Sequence, residues 1–173
     1  MTEFELPSFE PLDASRAEFL KHRAGGVIQA VPAYANLRQR LLSLGGLDVV
    51  PPAFDPSSAA QRARQSYDVH QVPQIGHTWV GAHADLEVME TSNCHLNVAQ
   101  LRTSGRGQIA SGWALPADGL WREHSWLVRS PGTVDESLIE TTRRWLLYHG
   151  YLLNEEETIW FVRAELGPDR WPQ

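Results

Sequence analysis

The spacing of hydrophobic and polar positions changes character near residue 67. Upstream, apolar residues recur at helical intervals. Asp13 is placed to cap a helix running to about His22. After Pro32, Tyr34, Leu37, Leu41, Leu42 and Leu44 mark one face of a second helix, which Gly45-Gly46 stops. Residues 49–58 are rich in proline and serine and read as a linker, with Ser57 or Ser58 placed to cap a third helix through Arg64. The first dozen residues, with Pro7 and Pro11, read as an extended arm. Residues 1–66 are thus expected to form a helical N-terminal arm or subdomain.

Downstream the pattern breaks into shorter, β-rich pieces, and residues 67–173 are expected to form an α+β core. Strands are predicted around 71–74 and 77–83. A helical pattern begins at Cys94, where Thr91-Ser92-Asn93 gives way to Leu96, Val98 and Leu101. Residues 108–115 and 120–128, joined by Pro116-Ala117-Asp118-Gly119, have the spacing and turn chemistry of a hairpin. Another strand is expected over 136–142, after Pro131-Gly132. Residues 143–148 fit neither period cleanly. Asn154 followed by three glutamates opens a final helix through about Leu166.

Composition narrows the function classes. At 173 residues with 42% hydrophobic and 21% charged residues, the chain has the makeup of a globular domain that buries its own core. A formal charge of −6, with Arg143-Arg144 as the longest basic run, argues against a nucleic-acid partner. No apolar run approaches the roughly 20 residues of a membrane span. A single cysteine and the absence of a secretory pattern at the N-terminus lead to an expected cytoplasmic location. The sequence sets no oligomeric state. All seven tryptophans lie after residue 78, which assigns the aromatic core, or an aromatic-lined cleft, to the C-terminal half.

The candidate chemistry starts at Cys94. A helix N-terminus favours a thiolate and offers backbone N–H groups to a developing oxyanion. Nucleophilic thiol chemistry also needs a base and a group that orients it, and the downstream strands supply His124 and Glu140. Period two puts His124 and Trp126 on one strand face and Glu140 with Leu138 and Thr142 on one face of the next. Strands about 5 Å apart let such a carboxylate reach the imidazole.

Cys94 at a helix start, the strand with Gly112-Trp113, the strand His124-Ser125-Trp126-Leu127-Val128 and the strand Ile139-Glu140-Thr141-Thr142 resemble, in order, the core of papain-like and transglutaminase-like cysteine enzymes. The resemblance covers about residues 91–142. It implies an α+β fold in which the helix carrying the cysteine packs on an antiparallel β-sheet. It also implies a nucleophile at Cys94, a base at His124 and an orienting acid at Glu140, where Glu replaces the commoner Asp or Asn. Asn93, Gln74 and Trp79 are candidates for the second oxyanion donor, Asn97 shares the cysteine's side of the helix, and Trp126 and Trp113 are candidate cleft walls. His95, turned by about 100° from Cys94, reads as structural or as support for the site.

The expected function is a cysteine-dependent hydrolase or acyltransferase acting on an amide, ester or thioester, with a peptide-like or small acyl substrate and no cofactor. Its main rival is a non-catalytic interaction protein on the same scaffold. A histidine-based metalloenzyme ranks third: His77 and His83 would share a face with Trp79 in an unbroken strand, but their spacing fits no compact zinc pattern, so no metal is expected.

Overall fold

The computed structural model describes residues 4–52 and 59–170, and within them the fold is mixed α+β. Among the described residues the elements are, in order, α1 (Ala14–Ala30), α2 (Ala33–Ser43), β1 (Asp48–Val49), α3 (Ala59–Ile75), β2 (His77–Val80), β3 (Asp85–Leu86), α4 (Cys94–Thr103), β4 (Gln108–Leu115), β5 (Leu120–Arg129), β6 (Ser137–Glu140), β7 (Leu147–Leu152) and α5 (Glu155–Leu166). The strands form one antiparallel-rich sheet in the order β2-β7-β4-β5-β6-β3, with β1 added parallel to the start of β5.

Local chemistry accounts for several boundaries. The Asp13 side chain accepts from the Arg16 N–H at 2.9 Å and starts α1, which runs to Ala30, eight residues beyond the predicted end. Asn154 and Glu157 form a reciprocal capping box on α5, satisfying two of its orphan N–H groups. The predicted hairpin is present as β4 and β5. Residues 71–74, predicted as a strand, belong instead to α3, which continues past Pro73 to Ile75. The helix prevails because its buried side, with Asp68, Val69 and Val72, is held against the sheet, and tertiary burial outweighs local propensity. The predicted Ser57 or Ser58 cap lies outside the described residues. The ambiguous stretch 143–148 leads into β7, which lies between β2 and β4.

Alternation along the strands divides the buried side chains into two sets. One face, carrying Ile109, Trp113, Trp121, Leu127, Leu147 and Tyr151, joins Tyr34, Leu37 and Leu41 of α2, Val72 of α3, Val98 of α4 and Phe161 of α5 in one core. Residues from both sides of position 66 therefore share this core. The other face carries Ala110, Ala114, Trp126, Val128, Leu138 and Tyr148, packed with Trp79 and Trp145. The sheet curls around this second set. Trp79 on the β2 edge donates its indole N–H to Glu136, just before β6, at 2.8 Å, although three strands separate β2 from β6.

The pairing along β5 is incomplete. On its side away from β4, β1 pairs only with Leu120 and Trp121, and β6 only with Leu127 to Arg129. Residues 122–126 are consequently an uncovered window in the ladder. No described helix is long and apolar enough to cross a membrane.

Candidate active site

His124 and Glu140 meet on the concave face of the sheet. Both are buried, and His124 Nε2 lies 2.8 Å from Glu140 Oε2. The carboxylate is well supplied with donors: the Tyr148 hydroxyl donates to Oε2 at 2.9 Å, and the Thr142 backbone N–H and hydroxyl donate to Oε1 at 2.7 and 2.8 Å. Such a set allows a carboxylate to remain charged away from water. With Nε2 taken by Glu140, Nδ1 is the ring nitrogen left for another partner.

Cys94 acts on the same imidazole. Burial alone would lower the His124 pKa, but the neighbouring Cys94 side chain and then Glu140 raise it to about 10. Burial by itself would raise the Glu140 carboxyl; the imidazole and the Thr142 donors hold it below its ordinary value. The Tyr148 phenol is pushed above its ordinary value by burial and by the charge of Glu140. Cys94 itself is partly exposed.

The strands and loops explain this convergence. Asn93 is the N-cap residue of α4, preceded by Ser92 at φ 65°, a left-handed conformation that turns the chain into the helix. The Asn93 side chain makes no capping hydrogen bond, unlike Asp13 on α1 and Asn154 on α5. The β6 end is fixed from its other side, where the Glu87 and Met89 N–H groups donate to the Glu140 and Thr141 carbonyls at 2.8 Å each. Asn97 is buried on α4, with its amide donating to the Glu90 carbonyl at 2.7 Å. It thereby ties the segment before the cysteine to the helix.

Aromatic rings enclose the pair. Trp126 lies nearly parallel to the His124 ring at 6.3 Å between centroids, and Trp145 approaches to 4.7 Å on a tilted plane. Trp126 fits because Gly150 lies beneath it: a Cβ at Gly150 would come within 2.7 Å of the indole. The Arg143 guanidinium stacks on Trp145, 4.4 Å from its centroid. Trp145 and Tyr148 were not singled out from sequence. Reading 147–152 as a strand would have aligned Tyr148 with the concave face.

Three expectations are corrected. Trp113 does not line this site: Gly112 is the partner of His124, so period two turns Trp113 to the helix-covered face. Gln74 is exposed near the end of α3, ahead of the edge strand β2, which β7 and β4 separate from the β5 strand that carries His124. His77 and His83 do not share a strand face, because β2 ends at Val80 and residues 81–83 form a 3₁₀ turn. Trp79 does join the concave cluster, edge-on to Trp126 at 5.5 Å, but its indole N–H is committed to Glu136. Among the described residues, no group of three or more His, Cys, Asp or Glu side chains could hold a metal ion.

Comparison with known proteins returns no match to any family model, curated protein or solved structure.

Proposed function

We propose that the protein is a cysteine-dependent hydrolase or acyltransferase of papain-like or transglutaminase-like architecture, with Cys94 as nucleophile, His124 as base and Glu140 as the acid that orients it. One observation carries this reading: the His124 imidazole is held at Nε2 by a buried, fully hydrogen-bonded carboxylate while Cys94, at the head of α4, acts on the same ring. In the proposed cycle the imidazolium holds at Nδ1 the proton taken from the thiol, and sulfur attacks the carbonyl carbon of an amide, ester or thioester. The Cys94 backbone N–H, at an N-terminus with no side-chain cap, is one donor for the oxyanion. The imidazolium then protonates the leaving group, and water or an amine takes the acyl group from sulfur. Glu140 stabilises the imidazolium and fixes the ring throughout. Trp126 and Trp145 limit water around the imidazole, which strengthens these electrostatic interactions.

Iodoacetamide alkylation of Cys94 tests the proposal. At pH 6.5 the wild type is expected to react at least about tenfold faster than His124→Ala, a threshold set below the ~10²–10⁴-fold contribution of a positioned base. p-Nitrophenyl acetate should give a burst of nitrophenol that Cys94→Ala abolishes. Equal alkylation rates and no burst would overturn the enzyme reading in favour of a non-catalytic interaction protein.

A further inference from the structure

The residues next to Cys94 and His124 are also joined, on the opposite face of the sheet. His95 Nδ1 lies 2.6 Å from the Ser125 hydroxyl. Ser125 is fully buried, and His95 packs edge-on against Phe161 at 5.9 Å between centroids. His95 Nε2 is 3.8 Å from Glu123 Oε1, and Glu123 in turn accepts from the Gln65 amide of α3 at 3.0 Å. Ser125 and Glu123 alternate with His124 and therefore face the helices, whereas His124 faces the concave side.

Two consecutive residues of α4 thus lie beside two consecutive residues of β5, His95 bonded to Ser125 and Cys94 near enough to His124 to influence its charge. Side chains of neighbouring residues diverge by about 100° on a helix and point to opposite faces on a strand. The α4 head therefore straddles β5, with the thiol on one side and the His95 imidazole on the other. It does so within residues 122–126, where neither β1 nor β6 covers the strand edge.

Val98, Ala99 and Leu101 seat the body of α4 in the core, but a single contact between Cys94 and His124 would leave its first turn, where the sulfur sits, room for small rotations and shifts along the strand. A second contact one residue further on, about 3.3 Å away along β5 and on the other face, restricts both.

We propose that His95 and Ser125 form a clamp that sets the position of the Cys94 sulfur against His124, and that they are positioning residues for the thiol chemistry. The clamp rests on the reading of Cys94 and His124 as nucleophile and base. Neither His95 nor Ser125 touches the reacting atoms. Their hydrogen bond acts through the adjacent peptide units, and its direction is immaterial, since either Ser125 or a protonated His95 Nδ1 can supply the hydrogen.

Alkylation by iodoacetamide, followed from pH 5.5 to 9, measures the clamp in the full chain. Ser125→Ala removes the hydroxyl at nearly constant volume. His95→Phe keeps a ring against Phe161 but loses Nδ1, and His95→Asn keeps a polar atom close to the Nδ1 position. Ser125→Ala and His95→Phe are expected to slow alkylation at pH 6.5 by about tenfold, below the ~100-fold cost of a 1 Å misplacement, and to move the profile toward that of His124→Ala. His95→Asn should stay within about threefold of wild type. The double variant Ser125→Ala/His95→Phe should be no slower than either single one, because the two act through one bond.

Thermal melting reports the fold of each variant separately. Profiles of Ser125→Ala and His95→Phe that overlay wild type, whether or not their melting temperatures fall, would overturn the clamp while the His124 effect leaves the base assignment standing. Identical rates in wild type and His124→Ala would overturn the assignment of base and, with it, the clamp.

Discussion

His124 and His149 are both buried in the same sheet, on strands that flank β4 from either side, yet they are driven in opposite directions. His124, on the concave face, has its pKa raised to about 10; His149, on the helix-covered face, has its pKa lowered to about 4. Burial disfavours the charged ring in both. His124 overcomes it with Cys94 and a carboxylate that holds three further hydrogen bonds, whereas the His149 Nδ1 meets the neutral Thr78 hydroxyl at 2.8 Å while Arg40 and His77 add positive potential. Partner chemistry, more than depth, decides which buried imidazole is charged.

The strongest way to break this contrast is to remove the carboxylate. Glu140→Ala leaves the imidazole without its counter-charge and strips the acceptor from Tyr148 and Thr142. Urea denaturation at pH 7 should show a loss of about 3–5 kcal/mol, the range for breaking a buried pair. The His124 ring, followed by NMR, should then titrate well below its wild-type value. A loss under about 1 kcal/mol with unchanged titration would show that Glu140 does not hold the charge.

The second test isolates His149. Its folded pKa lies below the unfolded value, so the unfolded state binds more protons between about pH 6.5 and 4, and stability falls as pH is lowered through that window. The full benefit of the neutral ring is present above pH 6.5. Relative to His149→Asn, the wild type should lose up to about 3 kcal/mol on going from pH 7 to 4. Parallel stability curves for the two proteins would remove His149 as the mirror of His124.

The smallest effects compare single hydrogen bonds on the two faces. Tyr148→Phe deletes a donor to a charged acceptor and should cost about 1.5–3 kcal/mol, while Thr78→Val deletes a neutral contact and should cost about 0.5–1.5 kcal/mol. Equal costs at pH 7 would argue that Glu140 is not ionised.

Much of the concave face was legible in the sequence because its signals are local. The Pro116 to Gly119 turn sets the hairpin, period two fixes which side His124 faces, and Glu140 lies on the next strand. The same period would have excluded Trp113 had the pairing of Gly112 with His124 been available, but cross-strand register is a long-range property. Residues 71–74 show the other limit. Val72 is fully buried, and its helix is held by Gln65 on Glu123 and Asp68 on Ser111 and Tyr151, partners 43 to 83 residues away in the chain. The strand 147–152 escaped because it is buried over most of its length on both faces and so lacks alternation.

The uncovered window on β5 also limits how this protein can change its length over evolution. Ser130 to Glu136 connects β5 to β6, with Ser130 and Gly132 both at positive φ, and β6 begins its pairing only at Arg129 and Ser137. A one-residue slip of β6 would turn Glu140 away from His124, and a two-residue slip would keep its face but move it by roughly 7 Å and push β6 along the strand toward the space occupied by the α4 head, or withdraw it. Insertions and deletions should therefore be tolerated in this connection only where the tip absorbs them without shifting Ser137. The stem of this hairpin serves as a ruler, and its length is under tighter constraint than the exposed residues at its tip.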